Sequence, residues 1–434
     1  MKITVMPDKI EGVVAAIPSK SHLHRLLIYA AFSDAPTIIS CRDIGAEDIT
    51  ATIDCLSALG ATINRTNGFT VHPINRAKLP HETSAPIVFP VGESGSTLRF
   101  MLPIVCALGL RGAFIMKGRL PERPLVPLDE QLKNNGVKLW RDGDVLHCEG
   151  QLGHGDYTLP GDVSSQYISG LMMALPLLTK PSTLNITGDI ESAGYIALTE
   201  QAGQNFGLHL EKNSNAQCAE YKIPAIGVYK SPGRVVAEGD WSNAAFWLCA
   251  GAMPSGNVRI TGLNRNSSQG DREVCDILKK MGVSVEWEGD ELVIKSGKSG
   301  TLRATEIDGR AIPDLIPVLS VVASVARGTT VIRNASRLRI KESDRLSTTA
   351  DTISSLGGKI QELSDGLTID GVEKLRGGIV EAHGDHRIAM MAAIASAHTD
   401  LPVTIAGAQA VNKSYPNFWD DLRSLGKQAV DGKE

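Results

Sequence analysis

The hydrophobic pattern of the chain repeats six times. Each copy runs from a short apolar segment of β character, through a corner of small and polar residues, into an apolar helical segment. The six copies are residues 14–25, 87–99, 157–166, 235–243, 304–314 and 379–387. Because self-similarity at a fixed period marks a repeat architecture, the pattern predicts one structural unit used six times.

A second element closes each copy: a helix that ends in glycine and is followed in most copies by a strand. The glycines lie 69 to 76 residues apart, at Gly60, Gly136, Gly207, Gly282, Gly357 and Gly426. Glycine at this position is the expected left-handed end of a helix. The unit is therefore β-α-β-α with a closing strand or hairpin. One such unit cannot bury its own faces, so we predict two domains of three units each, packed around an axis.

Both chain termini can fall in one of the two domains. The chain is then expected to cross to the second domain just before Ser19 and Lys20 and to return near residues 231–234. We therefore predict one domain of residues 1–18 plus 235–434 and an inserted domain of residues 19–234. No low-complexity linker is visible, so both crossings should be short and should act as a hinge.

Composition narrows the classes of function. The 434 residues carry a formal net charge of −4 and only 5% aromatic residues, which disfavours a nucleic-acid-binding protein. Any anion site must be a local cluster of cations. The seven cysteines show no metal-type spacing, and no signal peptide or membrane-spanning segment is evident, so we expect a soluble protein of the reducing cytoplasm.

The corners are candidate anion sites, because a helix N-terminus offers unpaired N–H groups and a positive dipole end. The commonest role of one serine or aspartate there is a helix cap. Several corners also carry basic side chains, which capping a helix does not require. Lys20 opposes the dipole of the helix that it begins, Arg25 shares a helix face with Ser21, and Arg123 stands between two prolines.

Residues 337–345 hold four cations and two carboxylates before a predicted helix from Leu346 to Leu356. Lys341 and Arg345 are four apart, so on a helix they would repel unless an anion lay between them. Asp314 is either a buried helix cap or a base with an altered pKa. Arg387 begins a buried helix and needs an anionic partner, either Asp385 or a ligand.

Taken together, these motifs resemble the EPSP synthase (3-phosphoshikimate 1-carboxyvinyltransferase) family over residues 7 to 420. The matching positions are Lys20-Ser21 with Arg25, Gly95 with Arg99, Arg123, Ser164-Ser165-Gln166, Lys341 to Arg345, Asp385-His386-Arg387 and Lys413. The resemblance implies an α/β protein of two similar domains, each a pseudo-threefold assembly of three βαβαββ units forming an inside-out α/β barrel.

The resemblance also implies a reaction, in which the enolpyruvyl group of phosphoenolpyruvate moves to the 5-hydroxyl of shikimate 3-phosphate during chorismate biosynthesis. Asp314 would be the base and Glu342 the proton donor, with Lys20 assisting. Shikimate 3-phosphate would be held by Lys20, Ser21, Arg25, Ser164, Ser165, Gln166, Ser192, Tyr195, Asp314 and Lys341. Phosphoenolpyruvate would be held by Lys20, Gly95, Arg123, Gln166, Arg345, Arg387 and Lys413. The domain with both termini would carry the catalytic acids and the phosphoenolpyruvate side.

By the same resemblance, the protein needs no metal or organic cofactor, and its partners are the two small substrates, with no nucleic acid and no membrane. A monomer is expected. Glu93 and Arg337 depart from the family pattern and receive no role. Relatives with alanine at the position of Gly95 resist glyphosate, so the glycine predicts sensitivity to that inhibitor.

Two other functions are compatible with a repeated unit of this kind. UDP-N-acetylglucosamine enolpyruvyl transferases share the fold, but they use a cysteine in a loop where this chain reads 117–124 without cysteine. Repeated units of this kind also occur in RNA-processing proteins. The acidic charge balance and the scarcity of aromatic residues oppose that alternative.

Overall fold

The computed structural model describes residues 1–42, 44–80, 85–214, 218–296 and 302–432. The contacts divide the chain into two compact units. We call Met1–Ser19 together with Glu238–Glu434 the terminal unit, and Lys20–Ala237 the inserted unit. Each unit is described by itself.

The helices and strands follow the repeat along the chain. The terminal unit begins with β1 (Lys2–Val5) and β2 (Glu11–Ala15). The inserted unit contains α1 (Lys20–Ala31), β3 (Thr37–Ser40), α2 (Glu47–Ala58), β4 (Thr62–Asn64), β5 (Phe69–His72), β6 (Ile87–Gly92), α3 (Gly95–Ala107), β7 (Gly112–Met116), α4 (Leu128–Asn134), β8 (Lys138–Asp142), β9 (Val145–Glu149), β10 (Asp156–Pro160), α5 (Ser165–Ala174), β11 (Ser182–Thr187), α6 (Ala193–Asn205), β12 (Glu211–Ser214), β13 (Cys218–Ile223) and β14 (Arg234–Val236). The terminal unit resumes with α7 (Trp241–Ala252), β15 (Asn257–Thr261), α8 (Val274–Lys280), β16 (Ser284–Glu288), β17 (Glu291–Lys295), β18 (Glu306–Asp308), α9 (Ile316–Ala323), β19 (Thr329–Arg333), α10 (Arg345–Ser355), β20 (Lys359–Glu362), β21 (Leu367–Asp370), β22 (Gly378–Glu381), α11 (His386–Ala395), β23 (Val403–Ala406), α12 (Phe418–Ser424) and β24 (Ala429–Asp431).

Within the described ranges, the strands form six sheets of four strands each. In the sheet β6-β7-β9-β8, for example, β6 and β7 are parallel and the hairpin β8–β9 adds antiparallel to β7. The sheets β10-β11-β13-β12 and β18-β19-β21-β20 have the same order. The predicted fold class, with repeated βαβαββ units in an α/β protein, is therefore confirmed.

The repeats at the two crossings exchange their first strands. Strand β2 precedes α1 in the sequence but pairs in parallel with β15 of the terminal unit. Strand β14 precedes α7 but pairs in parallel with β3 of the inserted unit. The first and fourth copies read from the sequence are therefore each split between the two units. The backbone holds the crossings together, since Ser19 N–H donates to Glu238 O at 2.7 Å and Asp240 N–H to Ile17 O at 2.8 Å.

The six glycines that close the second helices all adopt positive φ, between 75° and 98°. This conformation costs glycine little because it has no Cβ. The predicted left-handed helix ends are thus confirmed. They fix where each repeat turns back into its hairpin.

The first helix of each repeat forms the core. Every residue of α7, α9 and α11 is buried, as are all residues of α3 except Ser96. One face of each sheet covers these helices and the other face is open to solvent. Val236 of β14 and Ile379 of β22 are therefore exposed. A Cβ at Gly170 of α5 would collide with Arg99 O of α3, so glycine permits the close approach of these two helices. The polar corners lie at the N-termini of this core layer of helices.

Candidate active site

Arg345 is the centre of the polar cluster in the terminal unit. Its side chain is 1% exposed and bonds to three carboxylates. Nε and Nη2 donate to Asp385 at 2.7 and 3.1 Å, Nη1 donates to Asp314 at 2.6 Å, and Nη2 also donates to Glu342 at 2.8 Å. Burial alone would lower the pKa of Arg345, but the carboxylates raise it above its ordinary value. One permanent cation therefore holds both predicted catalytic carboxylates.

Asp314 is not a helix cap. Helix α9 begins two residues later, with Leu315 at the N-cap position and no side-chain cap. Burial raises the pKa of Asp314, but Lys341, Arg387 and Arg345 outweigh it and hold that pKa well below its ordinary value. The carboxylate is one quarter exposed and ionised, so it is accessible and can accept a proton, although the lowered pKa makes it a weak base while the cations are near it.

Lys341 and Arg345 do not lie on one helix, so the repulsion that a shared helix face would cause does not arise. Lys341 ends a 3-10 turn at Ser336–Ile340, and α10 begins only at Arg345, capped by Asp344. Burial lowers the pKa of Lys341 to about 8, although Asp314 raises it. The repulsion that remains between the two cations is relieved here by protein carboxylates.

Arg387 and Lys413 lie near the same carboxylates. Arg387 Nη1 donates to Ser242 O at 2.8 Å, and its Nη2 lies 3.9 Å from Asp314 Oδ2. Asp385, one of the two partners considered for Arg387, instead pairs with Arg345 and caps α11 through the Arg387 backbone N–H. Lys413 is 5% exposed, not a surface lysine, and its Nζ lies 3.9 Å from Glu342 Oε1.

In the inserted unit, Lys20 begins α1 and forms an ion pair with Asp48 of α2 at 2.7 Å. The backbone carbonyl of Asp48 accepts from Thr97 Oγ1 of α3 at 3.3 Å. Behind this pair, His24 Nδ1 bonds to Thr52 Oγ1 at 2.7 Å, and burial lowers the pKa of His24 to about 3. The histidine is therefore neutral and has a structural role.

Gly95 lies beside two guanidinium groups. A Cβ on Gly95 would be 2.9 Å from Arg123 Nη1 and even closer to Arg99 Nη1. Arg99 Nη1 donates to Gln166 Oε1 at 3.1 Å, and Gln166 Nε2 donates to Ser96 Oγ at 2.9 Å. Glycine at position 95 thus keeps space open at a cationic corner where three predicted residues converge.

The serines of this unit differ in their roles at helix ends. Ser164 caps α5 by accepting from Gln166 N–H at 3.3 Å, and Ser165 is the buried first residue of that helix. Ser192 precedes α6 in the left-handed conformation, with φ of 56°, and its side chain does not cap the helix. A strained non-glycine residue of this kind is typical of functional sites.

Arg25 is 2% exposed and contacts the backbone of Ser21, with which it was predicted to share a helix face, and the backbone of Tyr195. Its Nη1 donates to Ser21 O at 2.7 Å and its Nη2 to Tyr195 O at 3.0 Å. The cation is thus shared by α1 and α6. Ser21, Arg25 and Tyr195 form one local group.

A sequence model described as EPSP synthase (3-phosphoshikimate 1-carboxyvinyltransferase) matches residues 5–422. The 3-phosphoshikimate 1-carboxyvinyltransferase of Clostridium beijerinckii is 41% identical over 433 residues, covering 98% of this chain and 97% of that protein. The protein of the same name from Clostridium botulinum strain Alaska E43 is 42% identical, covering 97% and 96%. The chain belongs to the EPSP synthase family.

Solved structures agree with this family at the level of the fold. EPSP synthase from Acinetobacter baumannii matches with a TM-score of 0.79 and 23% identity, covering 99% of this chain and 100% of that one. The enolpyruvyl transferase NikO from Streptomyces tendae matches with a TM-score of 0.77 and 19% identity, covering 99% and 98%. The inside-out arrangement of helices and sheets is thus shared with both.

Several residues around the EPSP synthase motifs could not be found from the sequence. Asp48 was missed as the partner of Lys20 because it lies on the following helix, outside every motif. Thr199 and Ser169 were missed for the same reason, although both contact Arg25. Asp385 was one of the two partners considered for Arg387, and its pairing with Arg345 was not predicted.

Two properties of the described residues bear on cofactors and membranes. No group of three or more His, Cys, Asp or Glu side chains among them is arranged to hold a metal ion. Across the same residues, no helix combines the length and the apolar character that a membrane span requires.

Proposed function

We propose that this member of the EPSP synthase family transfers the enolpyruvyl group of phosphoenolpyruvate to the 5-hydroxyl of shikimate 3-phosphate and releases phosphate. The observation that carries the proposal is the placing of Asp314 and Glu342 on one buried guanidinium, that of Arg345. The reaction needs a base and an acid at neighbouring positions, and the two carboxylates occupy such positions.

The proton balance assigns the two carboxylates different tasks. Asp314 takes the proton of the 5-hydroxyl as its oxygen attacks C2 of phosphoenolpyruvate, and Glu342 gives a proton to the methylene carbon C3. In the elimination, the ionised Glu342 takes a proton back from C3 as the bond between C2 and the phosphate oxygen breaks, and the departing phosphate takes the proton held by Asp314, which returns both carboxyl groups to their starting states. Lys20 assists by stabilising charge. The nearby cations keep Asp314 ionised and ready to accept the proton.

Phosphoenolpyruvate carries a carboxylate and a phosphate, so it requires several cations. We assign it Lys20, Gly95, Arg123, Gln166, Arg345, Arg387 and Lys413. The open space at Gly95 beside Arg123 supports this assignment in the inserted unit. In the terminal unit it is supported by the burial of Arg387 and Lys413, because buried cations gain most from an anionic ligand.

Shikimate 3-phosphate is assigned Lys20, Ser21, Arg25, Ser164, Ser165, Gln166, Ser192, Tyr195, Asp314 and Lys341. The start of α5 supports this assignment, since a helix N-terminus with two serines suits a phosphate. The left-handed backbone of Ser192 supports the assignment as well, because strained residues of this kind cluster at functional sites. In this proposal the terminal unit carries the catalytic acids and the phosphoenolpyruvate side, and the inserted unit mainly holds shikimate 3-phosphate.

The cellular setting is part of the proposal. We propose a monomeric cytoplasmic enzyme that acts on two small molecules without nucleic acid. Seven free cysteines within the described ranges, five of them buried, suit a reducing compartment.

Phosphate release tests the function directly. We expect purified protein to release phosphate only when both shikimate 3-phosphate and phosphoenolpyruvate are present, without added metal. Replacing shikimate 3-phosphate by UDP-N-acetylglucosamine should give no release. Release with the sugar nucleotide, or with phosphoenolpyruvate alone, would contradict the proposal.

A further inference from the structure

The group around Arg25 extends to two hydroxyl side chains with no role in the proposed function. Arg25 Nε donates to Thr199 Oγ1 at 2.7 Å, and Nη2 donates to Ser169 Oγ at 3.0 Å. Ser169 and Thr199 also bond to each other at 2.7 Å. The guanidinium and the two hydroxyls therefore close a ring that joins α1, α5 and α6.

The hydrogen bonds of Thr199 leave only one consistent arrangement of protons. Its hydroxyl donates to Tyr195 O at 2.9 Å, so it must accept from both Arg25 Nε and Ser169 Oγ. Ser169 then donates to Thr199 and accepts from Arg25 Nη2. Each hydroxyl has one hydrogen and two lone pairs, so the ring uses the full capacity of Thr199. Thr199 is fully buried, which fixes this arrangement away from water.

The ring leaves one direction open for Arg25. Four of its five N–H groups have protein acceptors, and one N–H of Nη1, on the side of Ser21, has no acceptor among the described residues. All four acceptors are neutral oxygens. The ring of Phe100 covers the guanidinium at 5.0 Å. Although burial lowers the pKa of Arg25 to about 10, the guanidinium stays charged at neutral pH, and none of its hydrogen-bond acceptors within the described residues is a carboxylate.

We propose that Thr199 is a positioning residue for shikimate 3-phosphate, acting through Arg25. The Thr199 hydroxyl fixes the guanidinium, so that the remaining N–H of Nη1 stays available to an anionic group of the substrate bound near Ser21. A buried cation held only by neutral acceptors gains strongly from a phosphate, and gains most when it is already oriented. This inference rests on the proposed function, because it takes Arg25 as a ligand of that substrate.

The test compares two substitutions at Thr199. Thr199→Val keeps the shape and removes the hydroxyl, whereas Thr199→Ser keeps the hydroxyl. We expect Thr199→Val to raise KM for shikimate 3-phosphate at least about tenfold, the scale of a hydrogen bond to a charged group. KM for phosphoenolpyruvate should change less than about twofold, and Thr199→Ser should restore most of the affinity. Thr352→Val is the matched control, because Thr352 is a buried helical threonine that donates only to Thr348 O of its own helix.

A double-mutant cycle with Arg25→Gln separates positioning from a general loss of structure. If Thr199 acts through Arg25, Thr199→Val should have little further effect on KM in the Arg25→Gln background. Ser169→Ala, which removes the other arm of the ring, should raise the same KM and serves if Thr199→Val does not fold. An unchanged KM, an equal rise for both substrates, or a full effect in the Arg25→Gln background would overturn the positioning role alone. If the wild-type protein releases no phosphate when shikimate 3-phosphate and phosphoenolpyruvate are both present, the proposed function is overturned together with the positioning role.

Discussion

Arg345 and Asp385 form a bidentate ion pair inside the terminal unit, with Nε to Oδ2 at 2.7 Å and Nη2 to Oδ1 at 3.1 Å. Asp385 is fully buried and is fixed further by Ser343 Oγ, which donates to it at 3.0 Å. Asp385 thus holds one side of the guanidinium, and the other side holds Asp314 and Glu342. The positions of the two proposed catalytic carboxylates depend on this pair.

Removing the charge of Asp385 should therefore affect both stability and catalysis. We expect Asp385→Asn to lower the free energy of unfolding by about 3–5 kcal/mol, because Arg345 loses its buried partner. kcat should fall as Arg345 shifts. Urea unfolding and steady-state kinetics measure the two effects. Asp420→Asn, at an exposed ion pair with Arg423, should change neither. Equal behaviour of the two variants would refute the role of the buried pair.

Asp314 should matter for turnover more than for affinity. We expect Asp314→Ala to lower kcat by about 10²–10⁴, the usual contribution of a general base, with a much smaller change in KM for either substrate. Single-turnover kinetics separates binding from chemistry. Asp400→Ala, at an exposed ion pair with Lys374, is the control. Equal losses in kcat and affinity would make Asp314 a binding residue.

The titration of Lys341 should make activity and stability change in opposite directions as the pH rises. Its pKa of about 8 in the folded protein is below the ordinary value of 10.5. Above pH 8 it loses its charge, so kcat/KM for shikimate 3-phosphate should fall. Between pH 8 and 10.5 the unfolded chain binds this proton and the folded protein does not, so this lysine makes stability rise with pH.

Lys427 provides the matched control for that profile. Burial also lowers its pKa to about 8, but its Nζ donates to Met6 O and Ser396 O, away from the proposed catalytic residues. We expect Lys427→Met to remove its share of the stability slope and to keep the fall in kcat/KM. Lys341→Arg should move that fall to higher pH. A fall near pH 8 that persists in Lys341→Arg would show that another group causes it.

Gly95→Ala should disturb Arg123 without unfolding the protein. The atoms nearest to the new Cβ are the flexible ends of Arg99 and Arg123, which can shift. We expect KM for phosphoenolpyruvate to rise about tenfold, the scale of one weakened charged hydrogen bond, and inhibition by glyphosate to weaken. Gly153→Ala, whose Cβ would meet only Asn135 O at 3.4 Å, should leave both constants unchanged. Full wild-type activity at millimolar glyphosate would contradict the predicted sensitivity.

The repeat could be predicted from sequence because local rules determine it. Apolar helices and helix-ending glycines recur at steps of 69 to 76 residues, and all six glycines adopt the left-handed conformation. The predicted crossing before Ser19 puts β2 in the domain with both termini, but the strands with which β2 and β14 pair could not be predicted. The pairing of β14 with β3 spans 196 residues and that of β2 with β15 spans 246, so both are set by tertiary contacts, whereas each strand reads locally as part of the repeat whose helix follows it.

The partners of the charged residues were harder to predict than the residues themselves. Charge density and prolines singled out Lys20, Arg123 and Arg345, because surplus cations at helix starts are unusual. Their partners are set in three dimensions. Asp48 lies 28 residues from Lys20, and Asp385 lies 40 from Arg345. No local pattern carries that information.

The position of β1 has a consequence for the order of synthesis. This strand lies between β23 and β24, and Thr4 bonds to Thr404, 400 residues later. At ribosomal rates of about 5–20 residues per second, β1 waits roughly 20–80 s for its neighbours. Residues 20–237 are complete long before that. A ribosome therefore delivers the whole inserted unit first, and the first strand of the chain is among the last to be paired.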